Sequence, residues 1–257
     1  MVTFTLSSVS VSLGRRRAVQ DVEAILEPGA LIGIVGPNGA GKSTLMRAML
    51  GLLPLAGGEI AIDGIPVARL SRKQMARQIA YLPQGQTLHW PLSVERLVAL
   101  GRLPHMAPMQ RLSAADLAAI EDAMARADVL TLRDRIATEL SGGERARVMM
   151  ARALAVGAPA LLADEPLAAL DLGHQIEVMT LLQREASQGA LVVAVLHDLS
   201  MAARYCDRLL LIDGGRLVAD GAPMEVLTVD RLRSVYGVEA MIDNSGPAPV
   251  IIPVRRC

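Results

Sequence analysis

Residues 36–44 read GPNGAGKST, a run whose types and spacing suit a phosphate chain. It fits G-x-x-x-x-G-K-[ST] between an apolar strand and a helix, the context that the chemistry requires. Gly36, Gly39 and Gly41 let the backbone curl its N–H groups around a triphosphate, with Pro37, Asn38, Ala40 and Thr44 completing the loop. The dipole of the helix that follows adds positive potential. Lys42 can reach β- and γ-phosphates, and the Ser43 hydroxyl suits Mg²⁺.

Further on, ALLADEP (160–166) is an apolar strand ending in Asp164 and Glu165. Ligands of parallel sheets collect at that carboxyl edge, so Asp164 can hold the magnesium through water and Glu165 can polarise an attacking water. Gln84, in YLPQ, and His197, in AVLHD, also fall at strand ends. A lone Gln or His is more often structural, but these two share a sheet with a phosphate loop. Gln84 could touch both metal and water.

A second anion site stands apart. In LSGGE (140–144), Ser141, Gly142 and Gly143 open a helix whose first N–H groups are free and whose dipole end is positive. It lies in an inserted lobe that cannot easily fold back onto the chain's own phosphate loop. It could instead serve the γ-phosphate held by a second copy.

These residues need a frame. An alternating run with a basic turn at 14–17, Val19–Leu26 and ALIGIV predict three strands over 3–35. Ser43–Leu50 predicts a helix stopped by Gly51, and Glu59–Ile62, Ile79–Leu82, Ala160–Ala163, Leu191–Leu196 and Leu209–Ile212 predict strands. Ser113 with Asp116 predicts a capping box before a helix over 114–127. From Pro223 a small helix and a short β tail are expected. Strands alternating with helices imply a parallel sheet covered on both faces. The expected division is a nucleotide-binding core at 1–84 and 158–222, a helical lobe at 85–157 and a short extension at 223–257.

The formal charge is zero, from 26 basic and 26 acidic residues, which argues against a nucleic-acid partner. Arg15, Arg16 and Arg17 form only a local basic run, read as a solvated turn. Cys206 and Cys257, with no CxxC, give no metal or disulfide framework. The N-terminus lacks a signal-peptide pattern, and apolar runs such as GALVVAVL stop well short of the roughly 20 residues that cross a bilayer. A soluble, cytosolic chain is expected.

With GPNGAGKST, YLPQ, LSGGE, LLADEP, AALD and VLHD in that order, residues 2–221 resemble the nucleotide-binding subunit of an ATP-binding-cassette (ABC) transporter. The resemblance implies an α/β fold: a P-loop NTPase core with a mostly parallel sheet, an N-terminal antiparallel β subdomain and an inserted α-helical subdomain. It implies ATP and Mg²⁺, with two subunits sandwiching two ATP molecules head to tail. By it, Glu165 is the general base, His197 the γ-phosphate sensor, and Gln84 the link between metal and membrane partner. Ser141, Gly142, Gly143, Glu144 and Asp171 (in AALD) contact the partner copy's ATP. The family usually stacks adenine on an aromatic residue where this chain has Leu13, which offers apolar contact only, with an Arg of 15–17 as the alternative stacking group.

VERLVALGRLPH (94–105) and the tail VYGVEAMI…APVIIPVRR are similar to the members that energise uptake of iron–siderophores, haem and cobalamin. That likeness implies polytopic permease subunits as separate chains, a periplasmic or surface binding protein as an indirect partner, and a peripheral place on the cytoplasmic face of the inner membrane. GQTLHWPLS (85–93) falls where the family receives the permease's coupling helix, with Trp90 as an interface anchor. His89 as a haem ligand has little behind it. The rivals to haem or iron-chelate import are cobalamin import, export, and a soluble ATPase of iron–sulfur cluster assembly. DNA-repair members are disfavoured by the absence of a long heptad segment.

Overall fold

The computed structural model describes residues 2–85, 88, 90–107, 109–246 and 248–257. Phe4–Leu13 (β1) and Arg16–Leu26 (β2) pair antiparallel from Phe4↔Leu26 to Leu13↔Arg16. Gly14, with φ +60°, takes the left-handed position at the tip, so two residues close the hairpin. The basic run is therefore not one turn: Arg16 and Arg17 already belong to β2.

Leu31–Val35 (β3) is buried along its whole length and feeds the glycine loop into Lys42–Met49 (α1). Gly57–Ile62 (β4) and Ile65–Pro66 (β5) follow, then Arg72–Gln78 (α2) and Ile79–Leu82 (β6). The next stretch is helical: Val94–Ala99 (α3), Ala114–Arg126 (α4) and Gly142–Leu154 (α5), linked in part by 3₁₀ turns. The capping box at Ser113 and Asp116 opens α4. Ala160–Asp164 (β7), Leu172–Ser187 (α6), Leu191–Val195 (β8), Leu199–Tyr205 (α7), Arg208–Asp213 (β9) and Arg216–Gly221 (β10) return to the sheet.

The tail differs from one helix and a β segment. Pro223–Val226 (α8) and Val229–Tyr236 (α9) are separate helices, followed by a hairpin of Val238–Asp243 (β11) and Val250–Arg256 (β12). The break comes because Thr228 starts a new helix, its Oγ1 accepting from the Arg231 N–H, while Gly237 at φ +64° stops α9.

The main sheet runs β10-β9-β3-β8-β7-β6, parallel except for β10 at one edge; the N-terminal sheet is antiparallel, β2-β1-β4-β5. The inner strands are apolar on both faces because both faces are covered. Leu31, Val192 and Ala194 face one core with Met149, Met150 and Met179; Ile32, Ile34, Val193 and Val195 face the other with Leu45, Met46 and Met49. With one Phe in the chain, the flexible methionines fill space that aromatic rings usually take. Cys206 is buried, its thiol pushed up to about 12 by burial, and Cys257 is exposed. No helix among the described residues is long and apolar enough to cross a membrane.

Candidate nucleotide site

β3 delivers the glycine loop to the carboxyl edge of the sheet, and two of its glycines admit no side chain. A Cβ at Gly36 (φ +147°) would collide with the Ile212 carbonyl, and one at Gly41 (φ +108°) with the Ala18 carbonyl. Inside the loop, Lys42 Nζ donates to the Gly36 carbonyl at 2.7 Å and the Pro37 carbonyl at 2.9 Å. Burial lowers the Lys42 pKa, opposed by the nearby charges of Glu165 and Asp164. Arg16 Nη2 donates to the Gly39 carbonyl at 2.8 Å, so this residue braces the loop rather than belonging to a merely solvated turn. The cleft above the loop, about 270 Å³, is lined by Leu13, Arg16, Lys42, Glu165 and His197 among others. Leu13 is half-exposed there.

β7 ends in Asp164, which is fully buried. Its Oδ1 accepts from Ser43 Oγ at 2.9 Å, while Oδ2 has no hydrogen-bond partner among the described residues. A buried carboxylate oxygen left unpaired beside a hydroxyl is hard-donor chemistry that fits Mg²⁺. No group of three or more His, Cys, Asp or Glu among the described residues could hold a metal by itself. A cation here would complete its shell with phosphate oxygens and water, as Mg²⁺ commonly does.

Glu165 has φ +53°, a costly conformation for a residue with a side chain. Both its oxygens are engaged: Oε1 lies 2.6 Å from His197 Nε2, and Oε2 accepts from Gln84 Nε2 at 2.5 Å. Residues that follow β6, β7 and β8 thus converge in one polar chain, Gln84–Glu165–His197. The Gln84 amide is committed to Glu165 rather than to the Ser43–Asp164 pair. A carboxylate at this edge can accept a proton from water once one of these two partners frees an oxygen.

At the second anion site, Ser141 is the N-cap of α5. Its Oγ accepts from the Glu144 N–H at 3.3 Å, and its own N–H donates to Glu144 Oε2 at 2.9 Å. Arg135 Nη1 adds a bond to Glu144 Oε1 at 2.8 Å, and the Ser141 hydrogen bonds hold the Glu144 pKa below its usual range. Glu144 is therefore turned back onto its own helix. Ser141, Gly142, Gly143 and Glu144 do not line the cleft over the phosphate loop; Gly142 lines a neighbouring cavity with Pro83, Arg145 and Ala169, and Glu165 borders both.

Asp171 is the N-cap of α6, with Oδ1 accepting from the His174 N–H at 3.0 Å and Oδ2 lying 2.8 Å from His174 Nδ1. His174 and Arg16 are polar residues of this region that the motifs did not single out, as is Tyr81, whose pKa is raised by burial and by the neighbouring Asp164. For His174 the available signal is its position three residues after an N-cap aspartate. Trp90 is 74% exposed. His89, with Gln86 and Thr87 of the same segment, lies outside the described residues.

A family model described as "ABC transporter" matches residues 19–168. The hemin import ATP-binding protein HmuV of Nocardia farcinica is 46% identical, over 94% of this chain and 84% of its own. HmuV of Pseudomonas fluorescens is 42% identical over 92% and 93%. The cobalamin import ATP-binding protein BtuD of Halobacterium salinarum is 42% identical over 98% of this chain, which spans 63% of that relative's length. Among solved structures, a chain of an inward-facing ABC transporter superposes with a TM-score of 0.87, over 99% of this chain and 98% of its own; at 24% identity it speaks to the fold alone. A bacterial ABC transporter cassette solved as a dimer gives 0.75 at 26% identity, over 86% and 99%.

Proposed function

This chain belongs to the ABC transporter family, and we propose that it is the ATP-hydrolysing subunit of an importer, driving uptake of haem or an iron chelate through separate membrane subunits. The observation that carries the reading is one division of labour. Lys42, Ser43, Asp164 and Glu165 gather around the phosphate loop, while the capped helix N-terminus at Ser141–Gly143 does not line that cleft. Two such chains, head to tail, would complete two sites.

In this reading the backbone N–H groups of Gly39, Gly41, Lys42, Ser43 and Thr44 bind the phosphates, and Lys42 exchanges the Gly36 and Pro37 carbonyls for phosphate oxygens. Ser43, and Asp164 through water, would hold Mg²⁺, which would supply neutralisation of the phosphate charge. Glu165 takes a proton from water as the water oxygen bonds to the γ-phosphorus, and the β–γ bridging oxygen leaves on ADP with the electron pair. His197, 2.6 Å from Glu165, donates towards the γ-phosphate, and Gln84 orients the base. The second copy supplies the start of α5, with the Ser141 hydroxyl and the Gly142 N–H at its exposed edge and Asp171 reaching across the interface; Glu144 contributes by capping that helix.

The relatives named for hemin import support haem as cargo, and the 42% identity to a cobalamin importer keeps cobalamin as the second reading. The chain sits peripherally on the cytoplasmic face of the inner membrane, with Trp90 anchoring a polytopic permease and a substrate-binding protein acting indirectly. The test is Glu165→Gln, expected to keep ATP binding, lower turnover by about 10²–10⁴-fold and trap an ATP-bound dimer. Hydrolysis at the parent rate would overturn the assignment of the base. Cross-linked recovery of the tagged chain from membranes then checks the permease.

A further inference from the structure

His174 joins two parts of the molecule that the proposed mechanism needs together. Its Nδ1 lies 2.8 Å from Asp171 Oδ2, and its backbone N–H donates to the other oxygen of the same carboxylate at 3.0 Å. A neutral ring with the proton on Nδ1 makes that bond, so no charge on the imidazole is required. The far edge of the ring covers Gly143, where a Cβ would collide with Cδ2, Nε2 and Cε1. Gly143 is buried, whereas Ser141 and Gly142 beside it are exposed. One ring therefore fills the space left by the second signature glycine and fixes the rotamer of the N-cap aspartate.

The two ends it joins belong to different parts of the chain. α5 comes from the helical stretch and α6 follows the catalytic strand β7, and a further tie between them is the Arg147–Glu177 pair at 2.6 Å. We propose that His174 is a positioning residue: it sets the spacing between the Asp171 carboxylate and the N-terminus of α5 so that both meet the second copy's ATP as one rigid surface. The inference rests on the reading of Ser141–Gly143 and Asp171 as contacts across the dimer. It also gives Gly143 a reason to be glycine that is separate from phosphate binding.

The test uses the full chain carrying Glu165→Gln, with dimerisation followed by sedimentation in MgATP and ATP binding to the monomer measured in parallel. His174→Ala removes ring and hydrogen bond; His174→Phe keeps the cover over Gly143 and loses the bond to Asp171. Re-ordering an Asp171 that has lost this hydrogen bond costs up to about fivefold per site on dimerisation, and two symmetric sites square that to at most about 25-fold in the dimer dissociation constant. Both variants are expected to show this weakening, with monomer affinity for ATP and thermal midpoint close to the parent's for His174→Phe. Should His174→Ala fail to fold, His174→Phe decides alone. Dimerisation of His174→Phe as tight as the parent's overturns the proposal while leaving the trans site standing. If the Glu165→Gln parent itself forms no dimer with MgATP, the trans reading falls and takes this one with it.

Discussion

Arg126 and Glu185 tie the last turn of α4 to α6, and breaking that tie has a calculable cost. The Glu185 side chain is 4% exposed, and both its oxygens are met by a single guanidinium: Nε donates to Oε1 at 3.1 Å and Nη2 pairs with Oε2. Arg126 Nη1 also reaches Asp122 Oδ2 at 3.0 Å. Arg126→Ala leaves a buried carboxylate with neither of these donors. Removing one partner of a fully buried pair costs about 3–5 kcal/mol. Arg126 is 25% exposed, so water and screening reduce the figure to about 2–3 kcal/mol. At about 2–4 °C per kcal/mol for a chain of this size, the thermal midpoint should fall by about 5–10 °C. Replacing both residues with leucine removes the desolvation penalty with the attraction, and should leave stability near the parent's or above it. Calorimetry gives the midpoint, and urea unfolding at constant slope gives the free energy. A single variant that melts within about 1 °C of the parent, or a double variant as unstable as the single one, would refute the claim that the pair is costly to break because it is buried.

Leu13→Tyr places an aromatic face where the cleft has only a half-exposed aliphatic side chain. Stacking on a base is worth about 1–3 kcal/mol, and the low end suits an open site, so ATP should bind about fivefold tighter by titration calorimetry. Unchanged affinity would mean that the base does not pass over residue 13. Asp116 gives a pH test. Hydrogen bonds from Ser113, then Arg102, hold its carboxyl down to about 2, below the unfolded value of about 3.9. A depressed acid contributes stability that is present above the unfolded pKa and is lost as pH falls through the folded one. The stability gap between the parent and Asp116→Asn should therefore narrow between pH 4 and pH 2, as read from urea midpoints; a gap of constant size would sink this account.

What was legible in the sequence was local. An apolar run that ends in a polar residue announces a strand meeting the sheet edge, which is how Asp164, Glu165 and His197 were found. Capping-box spacing marked Ser113 and Asp116, and the same spacing at Ser141 and Glu144 carries the cap that turns Glu144 inwards. The side-chain partnerships were not legible, because they depend on how elements pack. Arg16 reaches Gly39 only because the hairpin closes in two residues and leans over the loop. His174 covers Gly143 only because α6 returns beneath the start of α5. The tail has two helices where periodicity predicts one, because Leu227 leaves the helical conformation and Thr228 caps a new start within a continuous apolar pattern.

The site geometry also bears on where nucleotide affinity comes from. Lys42 donates to two loop carbonyls, Ser43 to Asp164, and Gln84 and His197 occupy Glu165. Each of these side chains already has a partner within the chain, so engaging a triphosphate exchanges their hydrogen bonds, and the added ones come from the N–H groups of the loop. The net gain lies in the quality of the new bonds. The present bonds of the Lys42 ammonium to neutral carbonyls carry charge on the donor alone, whereas bonds to phosphate oxygens carry it on both sides and add ion-pair attraction. Asp164 Oδ2 is the exception, a buried acceptor with no partner, and it gains most from a cation's shell. Affinity therefore concentrates on the phosphate chain and its metal, while the side of the cleft at Leu13 adds little. With Glu165 as the proposed base, its release by Gln84 or His197 would be a condition for hydrolysis, since a carboxylate with both oxygens engaged is poorly placed to hold a water.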